Sequence, residues 1–310
     1  MLTIFTTPKA FEGHSGIIQR NALKSWTLLH PDIEVILFGD EEGAADTALE
    51  LGIRHVPHVE RTPTGTKVLR SFFDQAQQIA RHEVLCYSNC DIIFTSDLVH
   101  AVVALRAAGD RFLMVGRRWD VDIEEPLSFK EPDWADRVRG YATQHGNRAS
   151  GDWIDYFVFP RGFYVNQLPD LVVGRVFWDQ WLVWRARQSG ATVVDVSEAV
   201  LAIHQNHNYG YHQSGRLGVW TDQQSIRNLE LAGGRWHLCT IDDASHLLGP
   251  LGLRSNPDRN KQVLRRLVRT AREVIWLGAL NWSRPLRKAI GLRKDNCDAA
   301  LTRLRRFVSK

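Results

Sequence analysis

The chain has few cysteines and no long apolar run. Its four cysteines form no C-x-x-C pair, so we expect neither a disulfide framework nor a cysteine-based zinc site. No window approaches the ~20 consecutive apolar residues that a membrane-spanning helix needs. Residues 1–8 lack the basic and apolar regions of a secretory signal, which favours a cytoplasmic location.

The composition is that of a folded chain with an uneven distribution of charge. Its 310 residues are 44% hydrophobic and 24% charged, enough for a large core, and this excludes global disorder. Residues 254–310 carry 16 Lys and Arg against 4 Asp and Glu, a net charge of +12, whereas residues 1–253 carry −8. The sequence therefore predicts an acidic body followed by a basic tail.

In the first half, short apolar runs alternate with segments of helical spacing. Strands are predicted at 2–5, 34–38, 83–87 and 111–115, and helices at 15–29, 44–51, 65–80 and 96–107. This alternation predicts an α/β fold: a Rossmann-like, mostly parallel central sheet with helices on both faces. Such sheets bind ligands at the carboxyl ends of their strands, where Thr6, Asp40 and Asp91 lie.

The second half is less regular. Polar residues and two prolines predict a loop over 122–148, and the alternating Asp120, Asp122 and Glu124 are interpreted as an exposed edge. Strands are predicted at 153–159, 191–196 and 199–203, with a helix at 178–188. An amphipathic basic helix over 260–280 and two shorter helices, from 285 and over 298–308, form a helical tail. We expect one domain over 1–235 and a helical basic region over 236–310.

Asn89 and Asp91 lie at the end of the third predicted strand. Two oxygen ligands at i and i+2 can hold a hard divalent cation such as Mg²⁺ or Mn²⁺ without filling its coordination shell. Asn and Asp are also ordinary turn residues, so this pair alone leaves both interpretations open.

Asp179 lies at the predicted start of a helix, next to Trp178. A carboxylate there can cap the helix, or accept a proton from a hydroxyl nucleophile. Trp178, Trp181 and Trp184 have helical spacing, which favours burial for the last two. Trp178, beside Asp179, is also a candidate stacking platform for a sugar ring.

His204 and His207 follow the last predicted apolar strand. One of these imidazoles could complete a metal shell begun by Asp91, although a histidine at a strand end is often only hydrogen-bonded.

Together these motifs resemble the GT-A fold glycosyltransferases, the nucleotide-diphospho-sugar transferases, over about residues 1–235. The family's D-x-D metal motif matches Asn89 and Asp91, its x-E-D helix start matches Trp178 and Asp179, and a late histidine follows in the same order. Two residues depart from the pattern: Asn89 replaces the first acid of D-x-D, and Trp178 replaces the acid before the last Asp.

The resemblance implies roles for individual residues. Asp91, with His204 or His207, would bind Mn²⁺ or Mg²⁺, and Asp179 would be the base that deprotonates the acceptor. Asp155 and Trp178 would lie on the acceptor side. The donor nucleotide and diphosphate would contact a further set of residues, namely Thr6, Asp40, Lys67, Arg70 and Asn89. Lys67 and Arg70, on a predicted helix, can also face solvent, and this interpretation is favoured more for Lys67 than for Arg70.

The sequence thus predicts a glycosyltransferase that moves a sugar from a nucleoside-diphosphate sugar to an acceptor hydroxyl, with inversion. A glycan or lipid-linked acceptor in bacterial surface-polysaccharide assembly is our interpretation of the pathway. The tail over 254–310 would lie on the anionic inner face of the membrane, or it would pack on the catalytic domain.

The alternatives are a nucleic-acid-binding protein that uses the basic tail, or a nucleotidyltransferase. The tail's apolar stripe argues against the first, so no nucleic-acid partner is expected. The absence of a glycine-rich, basic loop after the first strand argues against the second.

Overall fold

A nine-stranded sheet forms the centre of the fold in the computed structural model, which describes residues 1–106, 109–207 and 222–281. The chain divides into a compact unit, Met1–Arg259, and a second unit that begins at Asn260. Residues 236–259, which the sequence analysis assigned to the tail, therefore belong to the first unit.

The strands are short and spread along the whole first unit. Their bounds are β1 Leu2–Thr6, β2 Ile33–Phe38, β3 Arg54–Val56, β4 Val84–Ser88, β5 Ile92–Ile93, β6 Phe112–Val115, β7 Arg118–Val121, β8 Asn147–Arg148, β9 Tyr156–Pro160, β10 Thr192–Asp195, β11 Ala202–Gln205, β12 His246–Gly249 and β13 Gly252–Ser255.

The helices connect most of these strands. Their bounds are α1 Gly13–Thr27, α2 Ala44–Leu51, α3 Leu69–Ile79, α4 Asp97–Arg106, α5 Trp134–His145, α6 Trp178–Gln188, α7 Gln223–Leu231 and α8 Arg259–Asn281, with 3₁₀ turns at Arg235–His237 and Ile241–Asp243.

The large sheet has the order β13-β12-β10-β6-β9-β4-β1-β2-β3. Strand β9 runs antiparallel to β4 and β6, and β13 runs antiparallel to β12, while the other neighbours are parallel. The predicted mostly parallel α/β sheet is confirmed. The carboxyl ends of β1, β2 and β4 consequently lie at one edge, where such sheets bind ligands.

A second sheet of order β5-β11-β7-β8 begins just beyond β4. Strand β11 pairs antiparallel with β5 and parallel with β7, so that His204 lies between Ile92 and Asp120. This small sheet brings three distant parts of the chain to the residues that follow β4.

Side chains of the central strands alternate between two cores. Phe5 of β1 and Tyr87 of β4 pack on one face, whereas Ile4 and Cys86 pack on the other. Because both faces are covered, these strands are buried along their whole length, as expected for the interior of a parallel sheet. A rigid sheet of this kind fixes the position of the loops at its edge.

Several elements differ from the sequence expectations. Residues 122–148 contain α5 and β8 rather than only a loop. The sequence did not predict α5 because the helix buries only Val138 and Ala142 and so needs no continuous apolar stripe. Helix α3 begins at Leu69, after an extended segment, instead of at residue 65. Strand β9 begins at residue 156 and β11 at residue 202, later than expected.

The second unit, as far as it is described, is α8. Its bounds agree with the amphipathic helix predicted at 260–280. The two further tail helices, from 285 and over 298–308, lie outside the described residues. Within the described part of the chain, no helix is both long and apolar enough to cross a membrane.

Candidate metal and catalytic site

Asp91, His204 and His207 form a cluster at the junction of the two sheets. Asp91 lies in the turn between β4 and β5, His204 lies on β11, and His207 follows that strand. One ligand atom from each lies within 4.8 Å of the others. Asp91 Oδ2 is 3.2 Å from His207 Nε2 and 3.9 Å from His204 Nε2. The three residues singled out as metal ligands from the sequence are thus brought together.

The cluster has the chemistry of a cation site. Asp91 Oδ1 is buried and makes no hydrogen bond within the described residues, which leaves a ligand oxygen available. Burial alone would raise the pKa of Asp91, but the hydrogen bond from His207 and the charges of His204, His207 and Lys9 hold it well below its usual range. Two imidazoles and one carboxylate suit Mn²⁺ better than Mg²⁺, which prefers oxygen ligands.

Asn89, the other half of the sequence motif, has its side chain engaged elsewhere. Its amide donates to Asp155 Oδ1 at 2.6 Å, and Tyr87 donates its hydroxyl to Asn89 Oδ1 at 3.2 Å. The side-chain oxygen expected to assist Asp91 therefore accepts a hydrogen bond from within the protein.

Asp155, predicted on the acceptor side, is buried at the amino end of β9. Its Oδ2 accepts a hydrogen bond from Arg118 at 2.8 Å, while Oδ1 accepts the one from Asn89. Both carboxylate oxygens are used inside the protein, so Asp155 holds the end of β4 against β7.

Asp120 and Arg118 are site residues that the sequence analysis missed. Asp120 was interpreted as part of an exposed edge, but its Oδ1 lies 3.0 Å from His204 Nδ1 and accepts a hydrogen bond from Arg118 Nε at 2.7 Å. That interpretation is wrong, because β7 pairs with β11 and carries Asp120 beside His204. No local pattern reports such a pairing between strands 84 residues apart.

Asp179 lies in the first turn of α6. The helix begins after Phe177, whose φ of 83° is left-handed and costly for a bulky residue. Burial, opposed by the backbone N–H of Gln180 and assisted by the charges of Asp155 and Asp152, raises the pKa of Asp179 to about 7. A carboxylate with that pKa can take up a proton near neutral pH.

Trp178 is part of the core. Its side chain is 5% exposed and packs edge-to-face on Tyr87, with ring centroids 5.5 Å apart, and against Phe157 at 5.7 Å. The structure therefore does not present it as an open platform for a sugar ring, because helix α6 lies with this residue toward the sheet. Trp184 is the more exposed indole and stacks on His237 at 4.2 Å.

Thr6 is the last residue of β1, and Asp40 lies two residues after the end of β2, so both are at strand ends as predicted. The Thr6 side chain is buried, whereas Asp40 is exposed and accepts a hydrogen bond from Arg61 at 2.5 Å. That hydrogen bond lowers the pKa of Asp40. Asp40 therefore presents its carboxylate to solvent at this edge, whereas the Thr6 hydroxyl is buried.

Lys67 and Arg70 have different surroundings. Lys67 precedes α3 rather than lying on it, is buried, and bonds Pro8 O and Glu41 Oε1, both at 2.5 Å. Arg70 lies on α3 and pairs on the surface with Glu60 and Asp170. Lys67 thus lies under the loop that follows β1, whereas Arg70 is bound on the outer side of α3.

No family model matches the chain, and no curated protein matches it. Solved structures with a similar fold include glucosyl-3-phosphoglycerate synthase from Mycobacterium tuberculosis with Mg²⁺ and uridine diphosphate, at 14% identity and a TM-score of 0.47, over 76% of this chain and 80% of that one.

Two others are GalNAc-T7 with UDP, GalNAc and Mn²⁺, and S. aureus TarS with UDP-GlcNAc. The first has 15% identity and a TM-score of 0.47 over 75% of this chain and 48% of that one. The second has 10% identity and a TM-score of 0.44 over 66% and 58%. At such values a likeness assigns no activity, so the activity of this chain has to follow from its own residues.

Proposed function

We propose that the chain is a metal-dependent glycosyltransferase that moves a sugar from a nucleoside-diphosphate sugar to an acceptor hydroxyl. The observation that carries this proposal is the cluster of Asp91, His204 and His207 at the strand-end edge of the sheet. Asp179, with its pKa of about 7, interacts electrostatically with Asp155. Asp155 in turn accepts a hydrogen bond from Asn89, which lies two residues before Asp91 of the cluster. A cation site could neutralise the leaving diphosphate, and a base of this kind could remove the proton of the acceptor hydroxyl.

The residues that would hold the cation are Asp91, His204 and His207, and their ligand set favours Mn²⁺ over Mg²⁺. When bound, the ion neutralises the charge of the leaving diphosphate. Asp91 is held ionised by its surroundings, so it is ready to bind a cation at neutral pH.

Asp179 would be the general base. As the acceptor oxygen attacks the anomeric carbon, its proton passes to the Asp179 carboxylate, and the bond from that carbon to the diphosphate oxygen breaks. A single displacement of this kind inverts the anomeric configuration. The negative charges of Asp155 and Asp152, which disfavour a further negative charge nearby, help Asp179 to accept the proton.

On the donor side, Asp40 would contact the ribose or base and Thr6 would line the end of β1, with Asn89 beside them. Lys67, buried below the β1 loop, is better placed than Arg70 to offset diphosphate charge. Both side chains are already paired, Lys67 with Glu41 and Arg70 with Glu60 and Asp170, so either would have to exchange a carboxylate for the diphosphate.

The decisive measurement for this function is thermal stabilisation by UDP, GDP and CMP, each with and without Mn²⁺. We expect one diphosphate to raise the melting temperature, and to do so only with the metal, because binding to the folded state alone stabilises it. No response to any nucleotide together with a response to single-stranded DNA would support the nucleic-acid-binding alternative instead.

The acceptor would be a glycan or a lipid-linked glycan in surface-polysaccharide assembly, and α8 would hold the enzyme at the inner face of the membrane. On this helix Leu264, Leu267 and Val268 are exposed. Arg265 and Arg269 are exposed among them. An apolar stripe bordered by arginines is typical of helices that lie in a membrane interface.

We expect the full chain to co-sediment with anionic phosphatidylserine vesicles at low salt and to be released at high salt. Each Lys or Arg near such a surface contributes about 1 kcal/mol, and this contribution is screened by salt. Neutral phosphatidylcholine vesicles are the control. A chain that stays in the supernatant with anionic vesicles at low salt has no such membrane role, and the apolar face of α8 then serves another contact.

A further inference from the structure

The His204 ring lies between two carboxylates, one at each of its nitrogens. Its Nε2 faces Asp91 Oδ2 at 3.9 Å. Its buried Nδ1 makes no well-aligned hydrogen bond within the described residues, and the acceptor beside it is Asp120 Oδ1 at 3.0 Å. Both arrangements follow from the backbone, because His204 is in register with Asp120 on β7 and with Ile92, which follows Asp91, on β5. The ring is buried, so solvent does not compete strongly for either nitrogen.

Arg118 fixes Asp120 in this position. Its Nε donates to Asp120 Oδ1 at 2.7 Å and its Nη1 donates to Asp155 Oδ2 at 2.8 Å, two bonds that leave the guanidinium little freedom. The same guanidinium lies over the Trp153 ring, 4.9 Å from its centroid. The positive charge offsets the desolvated charge on Asp120, which can then remain a carboxylate beside the histidine.

A neutral imidazole carries its proton on one nitrogen and its lone pair on the other. Only the nitrogen with the lone pair can bind a metal, and the partner of the other nitrogen decides which one that is. A carboxylate at Nδ1 accepts a hydrogen bond from that atom, so it keeps the proton there. The lone pair is then on Nε2, the nitrogen that faces Asp91.

We propose that Asp120 is a positioning residue, which accepts a hydrogen bond from His204 Nδ1 and so presents Nε2 to a divalent cation shared with Asp91 and His207. This inference rests on the metal site of the proposed function, and it adds two residues, Asp120 and Arg118, to which no role in that site had been given. Asp120 does not touch the cation; it acts through His204.

The first test is the affinity of the full chain for Mn²⁺ alone, measured by titration calorimetry. We expect Asp120→Ala to weaken binding by about 10–100-fold, as is typical when the partner of a metal-binding histidine is removed. Asp120→Asn keeps an oxygen at the Oδ1 position, so we expect it to restore most of the affinity. Glu124→Gln removes one negative charge from an exposed position on the same segment and is the matched control, with unchanged affinity expected.

The second test needs no variant of Asp120. Long-range ¹H–¹⁵N spectra of the metal-free chain with labelled histidine report which nitrogen of a neutral ring carries the proton, and His204→Asn identifies the signal. We expect the proton on Nδ1 in the unmodified chain. A proton on Nε2 overturns the proposal, whether or not any variant folds.

The outcomes separate this inference from the proposed function. Wild-type affinity for Mn²⁺ in folded Asp120→Ala overturns the role of Asp120 and leaves the glycosyltransferase proposal intact. Weakened Mn²⁺ binding in that variant, with the Nδ1 proton seen in the unmodified chain, supports the role even if no sugar transfer is found. No Mn²⁺ binding by the unmodified chain overturns both.

Discussion

Asp91→Ala is expected to abolish sugar transfer and the Mn²⁺-dependent binding of the nucleotide, while the chain stays folded. The substitution removes the carboxylate of the cluster and the buried Oδ1 that no group of the described protein satisfies. Two imidazoles alone leave the cation without an anionic ligand. The loss is measured as Mn²⁺ affinity by calorimetry and as turnover with a radiolabelled sugar donor.

The stability of the variant distinguishes a lost ligand from a lost fold. Asp91→Asn keeps the shape of the side chain and removes its charge. Because folding lowers the pKa of Asp91, this charge stabilises the folded state, so we expect a lower melting temperature but a transition that is still cooperative. Asp136→Ala, in the exposed first turn of α5, removes a carboxylate away from the site and should leave transfer unchanged. An Asp91→Ala enzyme with normal turnover and normal Mn²⁺ dependence would remove Asp91 from the metal site.

The parts of the fold that the sequence predicted correctly are those set by local periodicity. Mostly apolar runs flanked by breakers gave β1, β2 and β4, and helical spacing gave α1, α2 and α6. The gathering of Asp91, His204 and His207 was predicted only in part, because the sequence placed all three near the ends of apolar strands but not next to one another. They meet because β11 pairs antiparallel with β5 in the small sheet, which sets His204 against Ile92.

The parts that sequence reasoning missed depend on pairing between distant segments. Asp120 reaches His204 only because β7 lies next to β11 in a second, small sheet. Each strand has only four residues, and its sequence does not indicate the strand with which it pairs. Trp178 was open to either interpretation because helical spacing alone does not say which face of α6 meets the sheet. Lys67 lies outside the helix it was assigned to, and the carboxylate that binds it, Glu41, follows a different strand.

The ionised form of Asp179, which would act as the base, lowers the stability of the folded chain. Its pKa is about 3.8 in an unfolded chain and about 7 in the folded one, so between these values the folded state binds more protons. The free energy of unfolding therefore falls as pH rises from about 4 to 7 and stays lower above that range. We expect Asp179→Asn to remove this loss, so that the variant melts at a higher temperature than the unmodified chain at alkaline pH.

Asp179→Asn is also expected to leave donor binding nearly intact and to lower kcat by roughly 10²–10⁴-fold, the usual contribution of a positioned general base. The amide keeps the size of the side chain and an oxygen that can accept the backbone N–H of Gln180, but it cannot accept the proton of the acceptor hydroxyl. In the unmodified enzyme, kcat should rise with pH and level off above about 7, because only the ionised carboxylate acts as a base.

Three readouts test that role together. Turnover of the variant measured against pH should lose the inflection near 7, since the group that titrates there is gone. Glu198→Gln, an exposed acid that is paired with Arg148, is the matched control and should keep both turnover and inflection. Unchanged turnover in Asp179→Asn would leave Asp179 as a residue of the first turn of α6 with no part in the reaction. A product with retained anomeric configuration would reject its role as the base of a single inverting displacement, because retention requires either two displacements or attack from the face that the diphosphate leaves.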